Sequence, residues 1–135
     1  MKVRNTLATA LLAGQLATLG LGVASAPAAG GLAVEAEARA VVSDFFQTIN
    51  SRQFGKTCDL MSARFYKQHR IADRKRCVLG LTVGFANSPT VFFRILGVRL
   101  HADQAIVRTL ANGAPGQIVL VREAGALKIL ELDGS

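Results

Sequence analysis

The chain has 135 residues, with 16 Lys and Arg against 9 Asp and Glu, a net charge of +7 and a pI near 10.3. That length predicts one domain. The positive mean hydropathy of +0.33 comes from one N-terminal stretch, because after Gly31 no apolar run approaches the roughly 18 residues that a spanning helix needs.

Met1-Lys2-Val3-Arg4-Asn5 is a basic start, and Thr6 to Gly22 is an uncharged apolar run. Val23-Ala24-Ser25-Ala26-Pro27-Ala28 then supplies small residues at cleavage spacing. These are the three parts of a secretory signal peptide. The reading assigns residues 1–28 to a signal peptide, 29–32 to a flexible spacer and 33–133 to a single domain. It predicts a secreted or extracytoplasmic protein of the cell envelope, with no membrane span after cleavage. Removing 28 residues from 135 leaves 107, enough for one modest core. An uncleaved anchor is the competing reading. No cysteine follows the apolar run, which argues against a lipid-anchored form.

From Leu32 the pattern becomes helical. Val34, Ala38, Val41, Val42, Phe45, Phe46 and Ile49 recur at three- and four-residue steps and share a face. Glu35 and Glu37 fall in the first turn, where the helix dipole favours anions. Asn50-Ser51 ends this helix. A second, shorter helix is expected over Gln53–Ser62, with Phe54, Cys58 and Met61 or Leu60 inward. Arg64 to Ile71 is ambiguous. A third helix starts at Asp73, a good capping residue, and carries Cys77, Val78, Leu81 and Phe85. Asn87-Ser88-Pro89 breaks it.

The character then changes to strands. Val91–His101 is the first, and its alternation slips near Gly97, as a bulge would produce. Ala102-Asp103-Gln104 turns into a second strand, Ala105–Ala111. Asn112–Gly116 reads as a loop and Gln117–Glu123 as the third strand. Ala124-Gly125 makes a hairpin into Leu127–Leu132. Helices first and a strand meander after them predict an α+β fold, with the long helix across a curved four-stranded antiparallel sheet.

Seven basic residues, Lys56, Arg64, Lys67, Arg70, Arg74, Lys75 and Arg76, fall between positions 56 and 76 against only Asp59 and Asp73. Such a patch suits an anionic envelope component, or is simply a solvated face. Nucleic acid is not expected as a partner, since interleaved stacking aromatics are missing. Cys58 and Cys77 in an exported domain most simply pair with each other. Without a Cys-x-x-Cys, and with His69 alone nearby, they do not form a metal or redox pair.

The helix carrying Val41-Val42-Ser43-Asp44-Phe45-Phe46 is followed by two shorter helices and a strand meander. That meander closes in Gln117-Ile118-Val119-Leu120-Val121-Arg122-Glu123-Ala124-Gly125-Ala126-Leu127-Lys128-Ile129. In order and pattern this resembles the nuclear-transport-factor-two-like superfamily, also called SnoaL-like or cone-shaped, over Leu32 to Leu132. Leu127-Lys128-Ile129 stands where that family often has Trp-Lys-Ile. More narrowly, the chain is similar to small exported bacterial members with one Cys on each of the second and third helices. The resemblance implies a cone-shaped, cystatin-like fold and a cavity between sheet and helices. It leaves activity open, because the superfamily includes isomerases, epoxide hydrolases, cyclases, dehydratases and non-catalytic members.

Candidate residues for the cavity are Val42, Phe45, Phe46, Ile49, Phe93, Ile95, Ile106 and Leu120. No catalytic set is assigned. Asp103, Glu123, Glu131 and Asp133 do not read as inward strand acids, Asp44 is offset from the apolar face, and His101 ends a strand. No phosphate loop, nucleophile elbow or metal-binding helix is present, and no cofactor is implied. The expectation is a non-catalytic domain that binds an apolar small molecule or an envelope partner. Two alternatives remain: an isomerase- or hydrolase-like enzyme, and an interaction protein acting through the basic patch. A homodimer is left open.

Overall fold

The structure, a computed structural model, describes residues 30–133; the expected signal peptide lies outside the described residues. Four helices precede four strands. Helix α1 runs over residues 30–50, α2 over Phe54–Asp59, α3 over Ala63–Gln68 and α4 over Arg74–Gly84. The strands are β1 (Phe93–His101), β2 (Gln104–Ala111), β3 (Ala114–Glu123) and β4 (Ala126–Asp133). They pair as an antiparallel meander in the order β1-β2-β3-β4. From Val34 on, the chain forms one compact unit. Residues 30–32, expected as spacer, are helical.

The apolar stripe of α1 supplies one half of the core. Ala38, Val42, Phe45, Phe46 and Ile49 are buried against Ala105, Val107, Ile118, Leu120, Leu127 and Ile129 of the sheet. Pleating forces this division, since alternate residues of a strand face opposite sides. Ala105, Val107 and Thr109 of β2 oppose Leu120, Ile118 and Gly116 of β3 in register, giving one inward row. The β1 register slips between Ile95 and Gly97. The slip carries Phe93, Ile95 and Val98 to the same core despite their change of parity. A second slip between Val119 and Leu120 sets Leu132 opposite Ile118, which turns the last leucine of β4 toward the helices.

Three expected boundaries move, each for a physical reason. The second helix stops at Asp59 instead of Ser62. Residues 60–62 leave it to cover the exposed edge of β4: Ile129 N–H donates to the Leu60 carbonyl at 2.8 Å, and Ser62 N–H donates to the Ile129 carbonyl at 2.8 Å. Ser62 then caps α3, its hydroxyl accepting from Phe65 N–H at 3.0 Å, so the ambiguous segment is helical. The loop expected at Asn112–Gly116 is a two-residue turn. Asn112 and Gly113 take φ of 52° and 81°, the left-handed pair that a tight hairpin requires, and β3 begins at Ala114. Strand β1 begins at Phe93, because Asn50 takes both polar groups of the Val91 backbone, at 2.9 and 2.8 Å.

Helix α4 starts where expected, with Asp73 accepting from Arg76 N–H at 2.9 Å. It docks lightly, since Cys77 is its only buried residue and Leu79 and Val83 are exposed. The Cys58–Cys77 disulfide, with Cα atoms 6.1 Å apart, ties it to α2.

Candidate ligand cavity

Two apolar cavities open between helices and sheet, and they share Phe45 and Leu132 as wall residues. The first, about 200 Å³, lies under Phe45 and Phe46 at the β2–β3 hairpin. Its origin is visible in the inward row, which shrinks there to Thr109, Ala111, Ala114 and Gly116. Side chains that small do not fill the space beneath two phenylalanines. Phe46 is held in place by stacking on Phe93 at 4.6 Å, and Phe45 meets Phe46 edge-on at 5.2 Å. Gln117 and the exposed Asp133 also line this cavity.

The second cavity, about 280 Å³, lies on the helix side. Phe45 and Ile49 of α1, Met61, Phe65 of α3, Ile71, Leu81 of α4 and Phe85 form most of its wall, with the disulfide half Cys77 among them. Gly80 of α4 leaves a gap in the wall, since a methyl group added there would meet nothing within 4 Å. His69 and Arg76, both exposed, complete the lining. The His69 ring lies against Phe65, 4.3 Å between centroids.

The eight residues expected to line the cavity divide into three groups. Phe45, Phe46 and Ile49 line cavity walls. Val42, Phe93, Ile95 and Leu120 belong to the adjoining core and fill it. Ile106 lies apart, in a separate cluster with Val119, Val121 and Leu130. Its even position in β2 sends it to the opposite sheet face from Ala105 and Val107. Most wall residues were not among those eight. Of the charged and ionisable ones, Asp133 does not read as an inward strand acid, Arg76 belongs to the basic patch, and His69 reads only as too isolated to complete a metal site. Only the β3–β4 register slip, the packing of α3 on β4 and that of α4 on α2 bring them to the cavities.

All seven basic residues of the 56–76 segment are exposed. Arg74 is held by Asp59 through Nε and Nη2, at 2.7 and 3.2 Å, and that hydrogen bond keeps the Asp59 carboxyl below the usual range. Elsewhere Glu37 clamps α1 to the β3–β4 hairpin. It accepts from Arg122 at 2.8 Å and from Leu127 N–H at 3.1 Å. The Arg122 hydrogen bond, then that of Leu127, lowers its pKa. Tyr66 donates its hydroxyl to the Cys58 carbonyl at 3.1 Å, and burial raises its pKa. Glu123 accepts from Ala63 N–H, while Asp44, His101 and Asp103 are exposed. Among the described residues, no three His, Cys, Asp or Glu side chains group as metal ligands, and no helix is long and apolar enough to cross a membrane.

This arrangement, helices laid across one face of a four-stranded antiparallel meander, is the cone-shaped nuclear-transport-factor-two-like fold. The chain superimposes on a proposed dehydratase of the NTF2-like family from Streptomyces avermitilis with a TM-score of 0.54 and 13% identity, over 71% of this chain and 90% of that one. A designed NTF2-like protein gives a TM-score of 0.48 at 17% identity, over 71% and 94% of the two chains. Bd1075 of Bdellovibrio bacteriovorus gives 0.48 at 15% identity, over 70% of this chain and 38% of that one. No family model matches the chain, and no curated protein sequence does either.

Proposed function

We propose that the chain is an exported, non-catalytic domain that binds an apolar small molecule between its helices and its sheet. The observation that carries this reading is the pair of adjoining cavities, about 280 and 200 Å³, walled almost entirely by apolar side chains. Each volume falls below the roughly 300–1,000 Å³ of drug-sized sites, which suits one small ligand. Burial of apolar surface supplies the affinity, at about 25 cal/mol per Å² before the costs of association. Export is supported by the basic start, apolar run and small-residue exit of residues 1–28, and by a disulfide of the kind that oxidising compartments maintain. A general base must come within about 3 Å of the proton it takes. The titratable wall residues, Asp133 and His69, are exposed and belong to different cavities.

The test is a titration with a neutral apolar ligand such as 1-decanol, comparing the native protein with Gly80→Leu. Gly80 lines the larger cavity, and a side chain added at this helical position has open space around it. It also improves helix propensity by about 1 kcal/mol, so the variant stays folded. Binding by the native protein and its loss in Gly80→Leu support the reading. No binding by the native protein, or equal binding by both, defeats it.

A second reading has one observation in its favour: all seven basic side chains of the 56–76 segment are exposed. In that reading the patch meets an anionic envelope component. Retention on anionic vesicles would then fall with added salt, since exposed charges are screened beyond roughly 8 Å at physiological ionic strength.

A further inference from the structure

We infer that the helix-side cavity takes a single-chain amphiphile with an anionic head, an alkyl carboxylate of the fatty-acid class, tail inward and carboxylate at Arg76 and His69. The inference rests on the proposed apolar binding and adds the charge and shape of the ligand.

Charge is the first argument. The wall of this cavity contains one arginine and one histidine and no acid. Both are exposed while the remaining wall is apolar, so the polar groups sit at the mouth. A guanidinium presents a planar fork that matches a carboxylate, and an imidazole N–H adds a donor. The acids nearby are already engaged. Asp73 caps α4 by accepting from Arg76 N–H, and Asp59 is held by Arg74. Lys67, Arg70 and Lys75 are exposed in the same segment, so an approaching anion meets a positive field.

Shape is the second. A cavity of about 280 Å³ accommodates one alkyl chain and not a two-chain lipid. Arg76 and His69 at the helix-side mouth therefore orient the ligand, carboxylate outward and tail inward.

The experiment is calorimetric titration of the disulfide-bonded protein with octanoate, decanoate, 1-decanol and decyltrimethylammonium. Each added methylene that is buried tightens binding about fourfold. Decanoate binds about tenfold more tightly than 1-decanol, the low end for a hydrogen bond to a charged group. Arg76→Gln brings decanoate to the level of 1-decanol and leaves 1-decanol unchanged, with a thermal melt reporting that the variant is folded. Equal binding of decanoate and 1-decanol by the native protein overturns the inference while the apolar reading stands. So does equal weakening of both by Arg76→Gln, or decyltrimethylammonium matching decanoate. If neither decanoate nor 1-decanol binds, the inference and the apolar reading both fail.

Discussion

Removing the Cys58–Cys77 bond tests how the helical side of the molecule is held. The bond spans a sequence separation of 19, for which chain entropy gives about 3 kcal/mol of stabilisation. Cys77 is the only buried residue of α4, and the Arg74–Asp59 ion pair that also joins α4 to α2 is exposed and contributes at most about 1 kcal/mol. Both cysteines are buried, at 1% and 5% exposure, so alanine is the suitable replacement; serine would add buried hydroxyls. For a domain of this size, 1 kcal/mol corresponds to roughly 4–8 °C in Tm. The Cys58→Ala, Cys77→Ala variant should therefore melt roughly 12–24 °C lower by circular dichroism at neutral pH. Because Cys77 is also a cavity wall residue, the variant should bind 1-decanol more weakly even well below its Tm. A Tm within a few degrees of the native value would refute the argument, since α4 would then be anchored by something other than this bond. Free thiols in the native protein would refute it more simply.

Three further outcomes are expected. Glu37 has its pKa lowered in the fold by Arg122 and Leu127, so its contribution is present above its ordinary value of 4.5 and is lost as pH falls through the lowered one; Glu37→Gln should flatten the acid limb of a stability-versus-pH curve, and an unchanged limb would count against the clamp. Gly113→Ala should cost about 1 kcal/mol in a denaturant melt, because φ is 81° there and a β-carbon disfavours that region. If the proposed export holds, amino-terminal sequencing of the protein from its source should find a start between Pro27 and Gly30, whereas a retained Met1 would favour an anchor.

What the sequence disclosed, and what it hid, follows from the range of the interactions involved. The stripe Val34 to Ile49 and the strand alternation are local periodicities, and they yield the α1-on-sheet core directly. The parity slip at Gly97 is equally local and corresponds to the β1 bulge. Asn112-Gly113 was legible too, as a turn dipeptide, yet Pro115 and Gly116 beside it suggested a longer loop. The end of α2 was not legible, because residues 60–62 are drawn out by Ile129, nearly seventy positions away. Cavity walls depend on the same kind of distant pairing. Ile106 was assigned inward from its hydrophobicity alone, and only the register with β3 shows that Val107 holds that place. Asp133, His69 and Arg76 carry no motif; their position on the cavity walls exists only once β4 is paired with β3, α3 is set on β4 and α4 on α2.

Native mass spectrometry of the protein purified from its source cells or their medium addresses the central claim most directly. The account predicts one small organic molecule retained per chain, released on unfolding, and absent from Gly80→Leu prepared in the same way. Protein that carries no such molecule, and acquires none when decanoate or 1-decanol is supplied, would contradict it.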